Sequence, residues 1–191
     1  MLAMKKFSAQ VVLAFLLLFA QSPTSSYANK ARLTDIAVTT GRDHCLVFFR
    51  VTDCFTGEMK DAIENGIRTT FTFWVKFYEV RDLWWDKKIA DIKISHEIQY
   101  DGLKKVYRIK LSEKENKVII VEDFEEAKKW MSEVKGLAVT ELDDLHKGTL
   151  YRVRMMAQLD KIRLPFYLHY VLFFLSLWDF ETDWYTQDYR Y

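Results

Sequence analysis

Two prolines and six glycines are spread along 191 residues. Downstream of residue 28 they nowhere gather with serine into a linker, so the chain reads there as a single domain, 29–191. With the first 28 residues set aside, 163 of the 191 remain, enough to bury a real core. Charge of one sign is lacking as well. Subtracting the leader lysines Lys5 and Lys6 from 28 basic residues leaves 26 against 27 acidic ones, with no basic stripe to neutralise a phosphate backbone. Nucleic acid is excluded as an expected partner.

Catalytic signatures are missing too. The sequence has no Gly-x-Ser-x-Gly elbow, phosphate loop, dinucleotide fingerprint or Cys-x-x-Cys pair. We assign no catalytic residue, cofactor or metal. His96-Glu97-Ile98-Gln99-Tyr100 is like a zinc-peptidase His-Glu-x-x-His with Tyr in place of the second His. It falls in an alternating segment that sends His96 and Glu97 to opposite faces, whereas the motif needs two imidazoles one helical turn apart. A sheet histidine is the plainer reading. Glu141, Asp143, Asp144 and His146 gather three carboxylates and an imidazole and read as a solvated helix end, with a cation site or a hydrolase centre as the alternative.

There are only two cysteines, Cys45 and Cys54, at the ends of an apparent strand. Nine extended steps separate them by roughly 30 Å, beyond the ~7 Å a disulfide tolerates. They read as buried thiols; an intermolecular bridge or a folded-back segment is the other reading.

Long hydrophobic runs are scarce. Val11 to Ala20 is about ten residues, half of what spans a bilayer. Preceded by Lys5-Lys6 and followed by Ser26-Tyr27-Ala28, it reads as a secretory signal at 1–28, cleaved after Ala28.

Alternation is what the chain has in plenty. Phe71, Phe73, Val75 and Phe77 share one face, as do Ala90, Ile92, Ile94, His96, Ile98 and Tyr100 of a second strand. Asp101-Gly102 predicts a type I′ turn into a third strand over Leu103 to Leu111. Two earlier strands flank Gly41-Arg42-Asp43, and Thr149 to Leu159 alternates through Tyr151, Val153, Met155, Ala157 and Leu159, with Arg152 and Arg154 on its wet face. Helices are predicted over Thr56 to Asn65, capped by Thr56 or Gly57, and over Asp123 to Lys135; Thr140 to Leu145 predicts a further helical turn. The expected fold is α+β: a mainly antiparallel β-sheet with two or three helices packed on it, a two-sheet sandwich being the competing arrangement.

Aromatics supply the candidate site. Pro165 opens a nearly all-apolar run to Trp178, and the acidic tail beyond it carries Trp184. Trp84-Trp85 occupy a connection where small polar residues are usual. Two readings stand for these tryptophans: cover for the sheet, or a docking surface for a partner protein, a membrane surface or an apolar ligand. Trp84, Trp85, Trp178 and Trp184 are the candidate binding residues.

Asn65-Gly66-Ile67-Arg68-Thr69-Thr70-Phe71, Trp85-Asp86, Tyr100-Asp101 before Tyr107, Gly148 to Val153, Leu164-Pro165 and Thr182-Asp183-Trp184 together resemble the DUF4390 family of exported proteobacterial proteins. The resemblance covers nearly the whole chain beyond the leader. It implies export to the periplasm or envelope of a Gram-negative bacterium and a link to a membrane sensor kinase, but no activity, cofactor or catalytic residue. The expected function is a non-enzymatic envelope protein that binds another protein. A periplasmic carrier of an apolar ligand, held between the sheet and Pro165 to Trp178, is the alternative, and an unrecognised hydrolase is a third.

Overall fold

A computed structural model describes residues 31–115, 117–160 and 180–191. The expected leader with its cleavage after Ala28, and the Pro165 to Trp178 run including Trp178, lie outside the described residues.

Strands β1 (Arg32–Thr40) and β2 (His44–Thr52) form the expected hairpin, closed by the Gly41 N–H donating to the His44 carbonyl at 2.8 Å. Helix α1 (Gly57–Glu64) follows. Thr56, not Gly57, caps it: the hydroxyl accepts from the Met59 N–H at 3.2 Å, and Gly66 leaves the helix at φ +88°, where a side chain is disfavoured.

Then come β3 (Thr69–Glu79), β4 (Lys87–Asp101), β5 (Val106–Leu111) and β6 (Lys117–Val121), helix α2 (Phe124–Ser132), β7 (Glu133–Glu141), β8 (Leu150–Leu159) and β9 (Tyr185–Arg190). The strands make two antiparallel sheets, β1-β2-β7 and β6-β5-β4-β3-β8-β9. With two α-helices among the described residues, the α+β reading is correct.

The period of two explains the core. Phe71, Phe73, Val75 and Phe77 of β3 are fully buried, beside Ile94, His96 and Ile98 of β4 and Val153, Met155 and Ala157 of β8. The small sheet contributes Cys45, Val47, Phe49, Val51, Val134, Leu137 and Val139, so the sheets meet through their apolar faces; the Phe49 ring stands edge-on to Phe73 at 5.7 Å. The helices close the same core with Met59, Ile63, Ala127 and Met131. The opposite face of the large sheet carries Trp74, Lys76, Tyr78, Lys93, Arg152 and Arg154.

Four expectations are corrected. Asp101-Gly102 is not a two-residue turn: Asp101 pairs with Val106, and Gly102 to Lys105 form the loop. The left-handed residue there is Lys105 (φ 55°), while the Asp101 carboxylate accepts from the Lys104 N–H at 3.1 Å and shapes the turn through its side chain. The second helix ends at Ser132, and Val134, read as helical, lies in β7. Gly136 at φ +72° and two register shifts break the alternation of that strand and hide it. The helical turn expected over Thr140 to Leu145 shrinks to Leu142–Asp144, as 3₁₀, because Thr140 is still in β7 and pairs with Cys45. The described end of the tail, 180–191, does not lie across a sheet face: Tyr185–Arg190 pairs with β8 at the sheet's edge, while Phe180 packs on Phe71 at 5.0 Å.

Candidate functional site

The loop between β3 and β4 runs from Val80 to Asp86. Its base is fixed, because the Val80 N–H donates to the Leu150 carbonyl at 2.9 Å and Glu79 pairs with Lys87 across the hairpin. Beyond that base the chain has no face to bury. Leu83 is 90 % exposed, Trp84 78 % and Trp85 92 %. For Trp84 and Trp85, the reading as cover for the sheet is thereby overturned. Three adjacent large apolar side chains in water are unusual on a folded surface.

Below the loop a groove of about 580 Å³ is lined by Tyr78, Trp84, Trp85, Asp86, Arg152, Arg154 and Thr186. Arg152 is anchored in it by two hydrogen bonds to the Asp188 carboxylate, at 2.7 and 3.0 Å, and reaches Asp86 at 3.4 Å. Its guanidinium holds the Asp188 carboxyl below the usual range. Arg154 differs, since no carboxylate among the described residues lies within ion-pair distance of it. Its guanidinium carbon sits 5.3 Å from the Trp184 ring, and Lys76 Nζ is 4.9 Å from the same ring. Arg154 therefore joins Trp184 to the groove beneath Trp84 and Trp85. Three of the four candidate tryptophans share one side of the large sheet; Trp178 lies outside the described residues.

Sequence reasoning missed Leu83, Lys76, Tyr78 and Thr186 as members of this surface. Parity placed Arg152 and Arg154 on a wet face, but strand β9, which completes the groove, was not legible. The apolar-ligand chamber expected against Pro165 to Trp178 likewise falls outside the described residues.

The other acid/base groups are placed differently. His96 is fully buried, with Nδ1 3.0 Å from the Met131 carbonyl and Nε2 3.0 Å from Glu113 Oε1. Both ring nitrogens thus have oxygen partners inside the core. Burial pushes the Glu113 carboxyl up, but the hydrogen bond and charge of His96 outweigh it and hold the group below its ordinary value. The pair ties the 3₁₀ turn Ser112–Lys114 and the end of α2 to β4. Glu97 faces the other way, toward Arg68 and Lys110.

Glu141, Asp143, Asp144 and His146 are all exposed, and among the described residues no group of three metal-ligating side chains converges. Cys45 and Cys54 are both free and buried, the first of the two readings. Burial pushes their thiols up to about 11 and about 12. No described helix is long and apolar enough to cross a membrane.

No curated protein and no solved structure matches this chain. The model of one family, described as a domain of unknown function, DUF4390, matches residues 28–188, and the chain belongs to that family.

Proposed function

We propose that this is a non-enzymatic interaction protein of the cell envelope that docks on another protein through Leu83-Trp84-Trp85 and the groove below them. A membrane sensor kinase is the kind of partner the family resemblance points to. The observation that carries this reading is the exposure of Leu83, Trp84 and Trp85 on a loop whose base is hydrogen-bonded to β8. Burying three such side chains against a partner stabilises a complex by on the order of several kcal/mol, and a fixed loop base lowers the ordering cost. Tryptophan and arginine are the side chains most often found at the energetic centre of protein interfaces. Arg154, with no carboxylate of its own among the described residues, gives the groove a positive end suited to an acidic residue of the partner.

The test is a photoreactive amino acid placed at Trp85 of the full chain in its native host, with Leu103 as control. Leu103 is 98 % exposed on the β4–β5 loop, at the other end of strand β4. The expected result is one envelope protein identified by mass spectrometry from position 85 and absent from position 103. Equal capture from both positions, or none from 85, overturns the reading.

A further inference from the structure

We infer that β6 is a strand-pairing edge for a second copy of this chain, so that two six-stranded sheets join into one across a two-fold axis near Ile119.

An open sheet edge presents unpaired N–H and C=O groups, and folded proteins blunt such edges with bulges, left-handed residues or charge. Three strands at the edges of the two sheets are blunted. Strand β1 breaks register between Thr34 and Ala37, where Asp35 stands at φ 52°. Strand β7 shifts register twice and contains Gly136 at φ +72°. Strand β9 carries Asp188 and Arg190.

Strand β6 has no bulge, no left-handed residue and a single charge. Its five residues, Lys-Val-Ile-Ile-Val, pair with β5 from Val121 to Lys117 without a shift. Charge appears only at its first position. Ile119 and Val121 face the core, whereas Val118 is 45 % exposed and Ile120 60 % exposed on the outer face. Among the described residues nothing pairs with its free edge.

The strand is its own complement, which is why a second copy is the occupant. In an antiparallel pair centred on Ile119, each Val118 stands opposite the partner's Ile120. The four exposed aliphatic side chains then form one cluster on the outer face, while each Lys117, on the other face, stands opposite the partner's Val121 at the two ends of the pairing. The local two-fold axis is perpendicular to the sheet, so the apolar faces of the two copies stay on one side and their outer faces on the other. Strand β6 lies beside the Tyr100–Tyr107 end of the hairpin, away from Trp84 and Trp85. Pairing therefore leaves both tryptophan loops free, at opposite corners of the joined sheet.

Light scattering of the purified full chain over about a hundredfold range of concentration should show a monomer–dimer equilibrium. Ile120→Lys should raise its dissociation constant by about tenfold or more, through lost aliphatic contact and like charges brought together. Leu83→Lys should not move it. Because Ile120 faces water, circular dichroism of the variant should match the parent. In a parallel hydrogen-exchange measurement, amides 117–121 should exchange more slowly at high concentration than at low. A chain that stays monomeric throughout overturns the proposal. So does a dimer that Ile120→Lys leaves intact and whose 117–121 amides gain no protection.

Discussion

Phe71, Phe73 and Phe77 are fully buried, whereas Trp84 and Trp85, a few residues further on, stand almost wholly in water. Composition does not separate the two groups, since both are dense in large aromatics. Geometry does. On β3 every second side chain is delivered to the same apolar face and meets the small sheet and β4, so the phenylalanines hold the fold together. Past Glu79 the chain leaves the sheet, period two ends, and among the described residues no opposing layer receives the indoles. In this molecule, aromatics that fill the core and aromatics that stand in water are separated by one strand end.

That separation is open to test, starting where the effect is largest. Phe73→Ala removes a fully buried ring that touches both Phe49 and His96, and should cost about 3–5 kcal/mol in denaturant unfolding. Glu113→Ala leaves His96 buried without its carboxylate and should cost about 3 kcal/mol. The pH dependence has a definite sign. The folded Glu113 carboxyl lies below its ordinary value of 4.5, so its stabilisation is complete above about pH 4.5 and is lost as pH falls through the folded value. Glu113→Ala should therefore flatten the acid limb of the stability profile. A smaller effect concerns Cys45 and Cys54: with thiols pushed up to about 11 and 12, both should resist alkylation at pH 9 in the folded chain and react at once in denaturant. Rapid alkylation of the folded chain would mean that this part of the core opens.

Much of this was legible in the sequence because unbroken alternation carries its own geometry. Residues of β3, β4 and β8 could be assigned to faces one by one, and Thr56 and Asn65 marked the ends of α1. Legibility stopped where one residue breaks the period. Gly136 turns β7 out of register and lets Val134 pass for a helical position; Asp101 shapes its turn through a side chain that the Asp-Gly pair does not announce. The candidate site was half visible. A tryptophan pair in a loop is conspicuous, but only the fold shows that it stands in water, and only the pairing of β9 with β8 brings Trp184 and Arg154 together.

The most direct measurement is on the double variant Trp84→Ala with Trp85→Ala, comparing unfolding free energy and in-cell crosslinking with the parent. The separation of roles predicts a stability within about 1 kcal/mol of the parent together with loss of the captured partner. A drop of several kcal/mol, or a partner retained at full yield, would contradict it.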